Sequence, residues 1–156
     1  MTIKNLLRFA GLAVAAALLA NTAEAAGPFQ FFSVTPCRLV DTRGPVGVTG
    51  GPALAGNVTR SFPITGGTCG VPGTAAAAVL NVVVVAPTGG GHVTIWPYNT
   101  TMPVVSTINF DPNEPAIANG AIVPLANDPN FQISTYLGSG VGTSAHLVID
   151  VTGYFQ

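Results

Sequence analysis

The sequence predicts an all-β protein, an antiparallel β-sandwich of the jelly-roll type with about nine strands. After residue 25, apolar residues alternate with polar ones or run continuously, and none shows the spacing of an amphipathic helix. Most of the 19 glycines and 13 prolines of the 156-residue chain lie between these apolar segments. Short apolar segments separated by such turn signals are typical of a sandwich or barrel.

Each strand is expected where β-branched and aromatic residues lie between two turn signals. Gly89-Gly90-Gly91 and Asp111-Pro112-Asn113 are examples of these signals, since glycine and proline supply the backbone angles of turns. Segments 81–85 and 92–96 are expected to form one hairpin, and segments 121–125 and 131–136 a second. The predicted strands are 31–35, 37–42, 58–64, 76–86, 92–97, 104–110, 116–125, 131–137 and 145–155.

Two of these strands differ in whether one face or both faces must be covered by other parts of the protein. The last one alternates, with Leu147, Ile149 and Val151 on one face, so one face is buried and the other is solvated. The strand over 76–86 is apolar on both faces apart from Asn81, which predicts a cover on both sides. The second cover is either a long loop, with residues 44–57 as the candidate, or another subunit.

The first 25 residues have the layout of a secretory signal peptide. Lys4 and Arg8 precede twelve uncharged apolar residues, and Ala23-Glu24-Ala25 matches the pattern before a cleavage site. The apolar run is shorter than the roughly 20 residues that a membrane-spanning helix needs. We therefore expect a signal peptide helix over 1–25 and a single secreted domain over 26–156 with no membrane span, either extracellular or associated with the cell surface.

The expected secreted part is poor in charge. It carries three arginines against five acidic residues and no lysine. Nucleic-acid binding requires clustered cations and is therefore excluded as a function class. Surfaces with little charge favour association, so the expected partners are copies of the protein itself or an envelope polysaccharide.

Cys37 and Cys69 are the two cysteines of the chain. We predict that they form a disulfide, because an exported chain meets an oxidising compartment. Two free buried thiols and an intermolecular bridge are the alternatives. Two thiols without a neighbouring histidine make a poor zinc site, and no metal or other cofactor is expected.

The densest polar segment contains Arg38, Asp41 and Arg43. In a regular strand Asp41 and Arg43 share one face and Arg38 lies on the other. Arg43 can pair with Asp41 or with Asp150, the one charged residue of the last strand. We interpret the arginines and aspartates as a structural ion-pair cluster, with an anion site at Arg38 or Arg43 as the alternative.

One predicted strand carries a face that is interpreted either as packed under a loop or as a carbohydrate-binding face. Its residues recur with a period of two and so lie on one side of the strand: His92, Thr94, Trp96 and Tyr98. Three asparagines interrupt apolar strands, at Asn81, Asn109 and Asn119. Each is interpreted either as a partner for backbone groups or as a contact for sugar hydroxyls, with Asn109 included in the candidate binding face.

No catalytic residue is predicted. Ser144, His146 and Asp150 are the residue types of a hydrolase triad, but they lie along a single strand. At 3.3 Å per residue the ends of this set are about 20 Å apart, so they cannot form a relay. We therefore expect that the protein is not an enzyme.

The segment 34–43, VTPCRLVDTR, resembles the opening of secreted bacterial β-domains that begin with RLxDTR and end with DVxGYF. Residues 150–155 of this chain read DVTGYF. The resemblance continues in order through segments 80–82, 87–89, 93–97, 106–110, 118–119 and 123–125. Such domains occur alone or attached to exported cell-wall enzymes, and the resemblance implies a non-catalytic extracellular module. The valine run departs from the usual pattern of these domains and favours a protein–protein contact.

Overall fold

The computed structural model of the chain describes residues 27–156, so the signal peptide predicted over 1–25 lies outside the described residues. Residues 27–156 contain strands and no helix, which confirms the all-β class. None of these residues belongs to a helix capable of crossing a lipid bilayer. The strands are β1 (Phe31–Asp41), β2 (Leu54–Ala55), β3 (Thr59–Phe62), β4 (Ala77–Val85), β5 (Gly91–Pro97), β6 (Ile108–Phe110), β7 (Ala116–Pro124), β8 (Ile133–Ser139) and β9 (Ser144–Phe155).

The strands form two antiparallel sheets that pack face to face. The first sheet has the order β1-β9-β4-β7, with β2 also paired to β9, and the second has the order β3-β8-β5-β6. Most consecutive strands lie in opposite sheets, which is the connectivity of a jelly roll and confirms the predicted architecture. The two predicted hairpins are wrong, because the turns after β4 and β7 carry the chain across to the other sheet.

The core lies between the sheets and comes from the inward residues of both. In β4 buried and half-buried residues alternate, and the buried set joins buried residues of β9 and of the second sheet. Each large side chain buried here contributes about 1.5–3 kcal/mol to folding. Fully buried members include Leu80, Val82, Val84, Val93, Ile133, Leu137, Leu147 and Ile149.

The strands differ most from the prediction at three places. Segments 31–35 and 37–42 form the single strand β1, which is irregular between Ser33 and Cys37 and between Arg38 and Val40. The two-residue strand β2 is too short to give a periodic signal. Of the predicted strand 104–110, the structure pairs only Ile108–Phe110, as β6. The chain before it crosses the outer face of the second sheet.

The loop between β1 and β3 closes one side of the sandwich. Leu54 in this loop is buried and pairs with Ala145 of β9. Arg60 of β3 donates hydrogen bonds to the carbonyls of Gly50 at 2.6 Å and Pro52 at 2.7 Å. Burial lowers the pKa of the Arg60 guanidinium. The loop is therefore held at the edge beside β9 and β3, and it is not the predicted cover of the valine run.

Candidate functional site

The residues predicted as an ion-pair cluster meet on the outer face of the first sheet. Arg38 binds Asp150 through Nε–Oδ1 at 2.9 Å and Nη2–Oδ2 at 3.3 Å. Arg43 binds Asp41 through Nε–Oδ1 at 2.8 Å and Nη2–Oδ2 at 2.6 Å. Arg38 Nη1 also lies 3.5 Å from Asp41 Oδ2, which joins the two pairs. Because both guanidinium groups are occupied by carboxylates, this geometry favours a structural clamp over an anion site.

A β-bulge explains why Arg38 belongs to the cluster, although simple alternation places it on the opposite face from Asp41. In the ladder with β9, Arg38 lies opposite Asp150 and Val40 lies opposite Ile149, so Leu39 is the extra residue. The bulge reverses the alternation after Arg38. Val40 is thereby turned into the core, where it is fully buried, and Asp41 is turned outward.

The cluster predicts a specific pH dependence of stability. The hydrogen bonds from the Arg43 side chain lower the pKa of the Asp41 carboxyl from 3.8 to about 2. The unfolded chain then takes up the Asp41 proton at a higher pH than the folded chain. The Asp41 contribution is therefore complete above pH 3.8 and is lost as the pH falls towards 2.

We expect Asp41→Asn to remove this part of the pH dependence. Urea unfolding between about pH 5 and pH 2 measures it as a smaller fall in the free energy of unfolding than in the wild type. Asp111→Asn serves as the control, because Asp111 is an exposed carboxylate in a turn outside the cluster. Parallel curves for the wild type and Asp41→Asn would contradict the assignment.

The disulfide between Cys37 and Cys69 is present, which confirms the predicted bridge. The two Cα atoms are 5.5 Å apart, within the usual range for such bonds. Cys69 is 4% exposed and belongs to the long connection between β3 and β4. The bond therefore fastens a connection without regular structure to strand β1.

A cleft of about 480 Å³ lies on the outer face of the second sheet. Its floor is formed by His92 and Thr94 of β5 and Tyr136 of β8, and Asn109 of β6 lies beside His92 in the register. Its wall is the segment 102–106, in which Val104 is fully exposed. The cleft thus combines an imidazole, a phenol, an amide and apolar side chains.

A glycine in β8 permits the position of the His92 ring in this cleft. A Cβ atom on Gly138 would lie 2.1 Å from His92 Cε1, so the imidazole occupies the space of the missing side chain. The ring centroids of His92 and Tyr136 are 6.2 Å apart. The two rings therefore form a continuous polar–aromatic floor only because residue 138 has no side chain.

Trp96 and Tyr98 do not belong to this cleft, in contrast to the predicted binding face. Trp96 is 6% exposed, and its Nε1 donates to the Thr100 carbonyl at 3.1 Å. The chain after β5 folds back over the face, where Thr94 Oγ1 donates to the Val105 carbonyl at 2.6 Å. Tyr98 packs against Phe131 with centroids 5.4 Å apart. Of the two interpretations of this face, packing under a loop is therefore confirmed for Trp96.

The three strand asparagines divide between structural and exposed positions. Asn81 Nδ2 lies 3.5 Å from Asp150 Oδ2, and Asn119 Nδ2 donates to the Thr107 carbonyl at 2.6 Å. Asn109 is exposed and lines the cleft.

Sequence reasoning missed Tyr136 and segment 102–106, since only the pairing of β8 with β5 brings them to His92. The one feature of the sequence that could have indicated this site was the glycine at position 138, whose missing side chain leaves room for the His92 ring.

Comparisons of the chain with protein-family models, curated proteins and solved structures give no match. Within residues 27–156, no three histidine, cysteine or acidic side chains lie close enough together to hold a metal ion.

Proposed function

We propose that the protein is a secreted, non-catalytic interaction module that associates with copies of itself, in the extracellular space or at the cell surface. The signal-peptide pattern before the sandwich, the disulfide and the resemblance to secreted β-domains support export. The observation that carries self-association is the apolar outer face of the first sheet along β4 and β7.

This outer face is built from the residues of β4 that do not enter the core. Val79, Val83 and Val85 alternate with the buried residues of the strand and are half-buried on the outside. Ile122 of β7 lies opposite Val79 and is 63% exposed. Ala118 lies opposite Val83 and is also exposed. Neither strand carries a charged residue. Asn81, the polar member of the outward residues of β4, lies beside Asp150, so the ion-pair cluster borders this apolar face.

The experiment is sedimentation of the purified protein over a rising concentration series, together with electron microscopy of culture supernatant. We expect the mean mass to rise with concentration, because association removes apolar surface from water. A protein that sediments as a single chain at every concentration and is absent from the cell envelope would contradict the proposal.

The cleft supports a second candidate function, the binding of a carbohydrate. Exposed Asn109 supplies hydrogen-bonding groups, and His92 and Tyr136 supply ring surface in a concave site. The test is a polysaccharide pull-down with the wild type and with Tyr136→Ala. Tyr98→Ala is the matched control, since Tyr98 lies outside the residues that line the cleft. Equal retention of both variants would remove this candidate.

A further inference from the structure

Strand β7 is a long edge strand with a regular ladder on one side. It pairs with β4 over nine residues without a bulge, and no other strand of residues 27–156 pairs with it. At the ends of this ladder the amide of Leu125 donates to the Ala76 carbonyl at 2.8 Å, and the amide of Ala86 donates to the Pro115 carbonyl at 3.0 Å. These two bonds fix which residues of β7 turn their main-chain groups towards β4.

Neighbouring residues of a strand direct their main-chain groups to opposite sides. Because Pro115 and Leu125 bond to the β4 side, the intervening odd-numbered residues do so as well. Ala118, Gly120 and Ile122 therefore direct their amides and carbonyls to the open side. These groups have no hydrogen-bond partner among residues 27–156. An unpaired row of this length is a template for another strand.

We propose that two copies of the chain pair through this open edge, antiparallel, around a two-fold axis at Gly120. The inference rests on the proposed self-association and names the surface that performs it. A two-fold interface requires a patch that complements itself. With Gly120 opposite Gly120 of the second copy, Ala118 faces Ile122 of that copy, so a small side chain meets a large one.

The outer face continues across such a junction. Val79 lies beside Ile122 and Val83 beside Ala118 in the β4–β7 register, so each copy brings its apolar row to the contact. At the centre, a Cβ atom on Gly120 would have no atom within 4 Å, so the outer face is open at the middle of the junction. Asn119 fastens β7 to the opposite sheet through its side chain, so this bond leaves the open main-chain groups available.

The other outer strands of the described sheets carry features that block strand addition. Proteins protect their edges with short strands, charges, prolines and bulges. β1 has two irregularities and the charged residues Arg38 and Asp41. β3 has four residues and includes Arg60, and β6 has three residues. Between Ala116 and Val123, β7 has no charge, no proline and no bulge.

The direct test is Ala118→Pro, because the Ala118 amide points to the open side. Proline there removes an edge donor and leaves the β4 ladder intact, since edge strands accept proline where the amide faces outward. In sedimentation we expect a wild-type dimer, with twice the mass of one chain, and a monomer for Ala118→Pro. Ile122→Lys is expected to abolish the dimer as well, and Val141→Lys, at another exposed site, is expected to retain it.

Gly120→Cys tests the register. Opposed residues that exchange hydrogen bonds have Cα atoms about 5.5 Å apart, within the range of a disulfide. We expect Gly120→Cys to form a covalent dimer on oxidation and Val141→Cys to remain uncrosslinked. A wild-type monomer would overturn both this inference and the proposed self-association. A wild-type dimer that persists in Ala118→Pro and Ile122→Lys would overturn the edge assignment alone.

Discussion

Replacing both Cys37 and Cys69 by alanine is expected to lower the free energy of unfolding by roughly 3.5–4 kcal/mol. The bond closes a loop with a sequence separation of 32, and most of this effect comes from restricting the unfolded chain. In the folded state it fastens the β3–β4 connection to β1. This connection contains no strand between Phe62 and Ala77, and it is also held by the Ile64 and Thr65 amides, which donate to Gln132 Oε1.

Denaturant unfolding under non-reducing conditions measures the difference between the wild type and the double variant. A reducing agent is expected to lower the wild-type midpoint to that of the variant and to leave the variant unchanged. Thr68→Ala, at an exposed neighbour of Cys69, controls for disturbance of the connection itself. A double variant that is as stable as the wild type would contradict a structural role for the bond.

Replacing Arg60 by methionine is expected to destabilise the protein by about 2–4 kcal/mol, since hydrogen bonds to a charged donor contribute about 1.5–3 kcal/mol each. The guanidinium joins β3 to several carbonyls of the β1–β3 loop, including Gly47 at 2.8 Å. It also lies over the Phe62 ring, 4.8 Å from the centroid. Methionine keeps the apolar stem and removes every donor, so carbonyls of the loop lose their partner.

Denaturant unfolding and limited proteolysis together test this role of Arg60. We expect faster cleavage within residues 44–52 in Arg60→Met and an intermediate rate in Arg60→Lys, which retains the charge but not the planar fork. Arg43→Met is the matched control, because Arg43 makes an exposed ion pair and should have a smaller effect. Equal stability of the two methionine variants would show that Arg60 does not anchor the loop.

The strands were predictable because they depend on local signals, and the disulfide because the chain has two cysteines behind a signal-peptide pattern. Alternation in β9 identifies its buried face, and glycine and proline clusters mark most strand ends. The ion-pair partners were only partly predictable, because the bulge at Leu39 reverses the alternation and brings Arg38 to Asp150. A bulge depends on the pairing of two distant strands, and periodicity within one strand does not reveal it.

The candidate binding site was harder to predict, since it depends on long-range cover. The spacing of Trp96 left its exposure open, and the chain after β5 folds over it and accepts its indole hydrogen bond. Tyr136 reaches His92 only through the pairing of β5 and β8. The open edge of β7 was also hidden, because the position of a strand within a sheet depends on connections between the two sheets rather than on its own residues.

Residue-resolved amide hydrogen exchange along β7, measured at low and at high protein concentration, tests most directly whether the protein acts through an open sheet edge. We expect protected amides at Ala121 and Val123 at both concentrations, because these amides bond to β4. Ala118, Gly120 and Ile122 should exchange rapidly in dilute solution and become protected as the concentration rises. Protection of these three amides in the most dilute sample, or rapid exchange in the most concentrated one, would contradict the pairing of two copies through the open edge of β7.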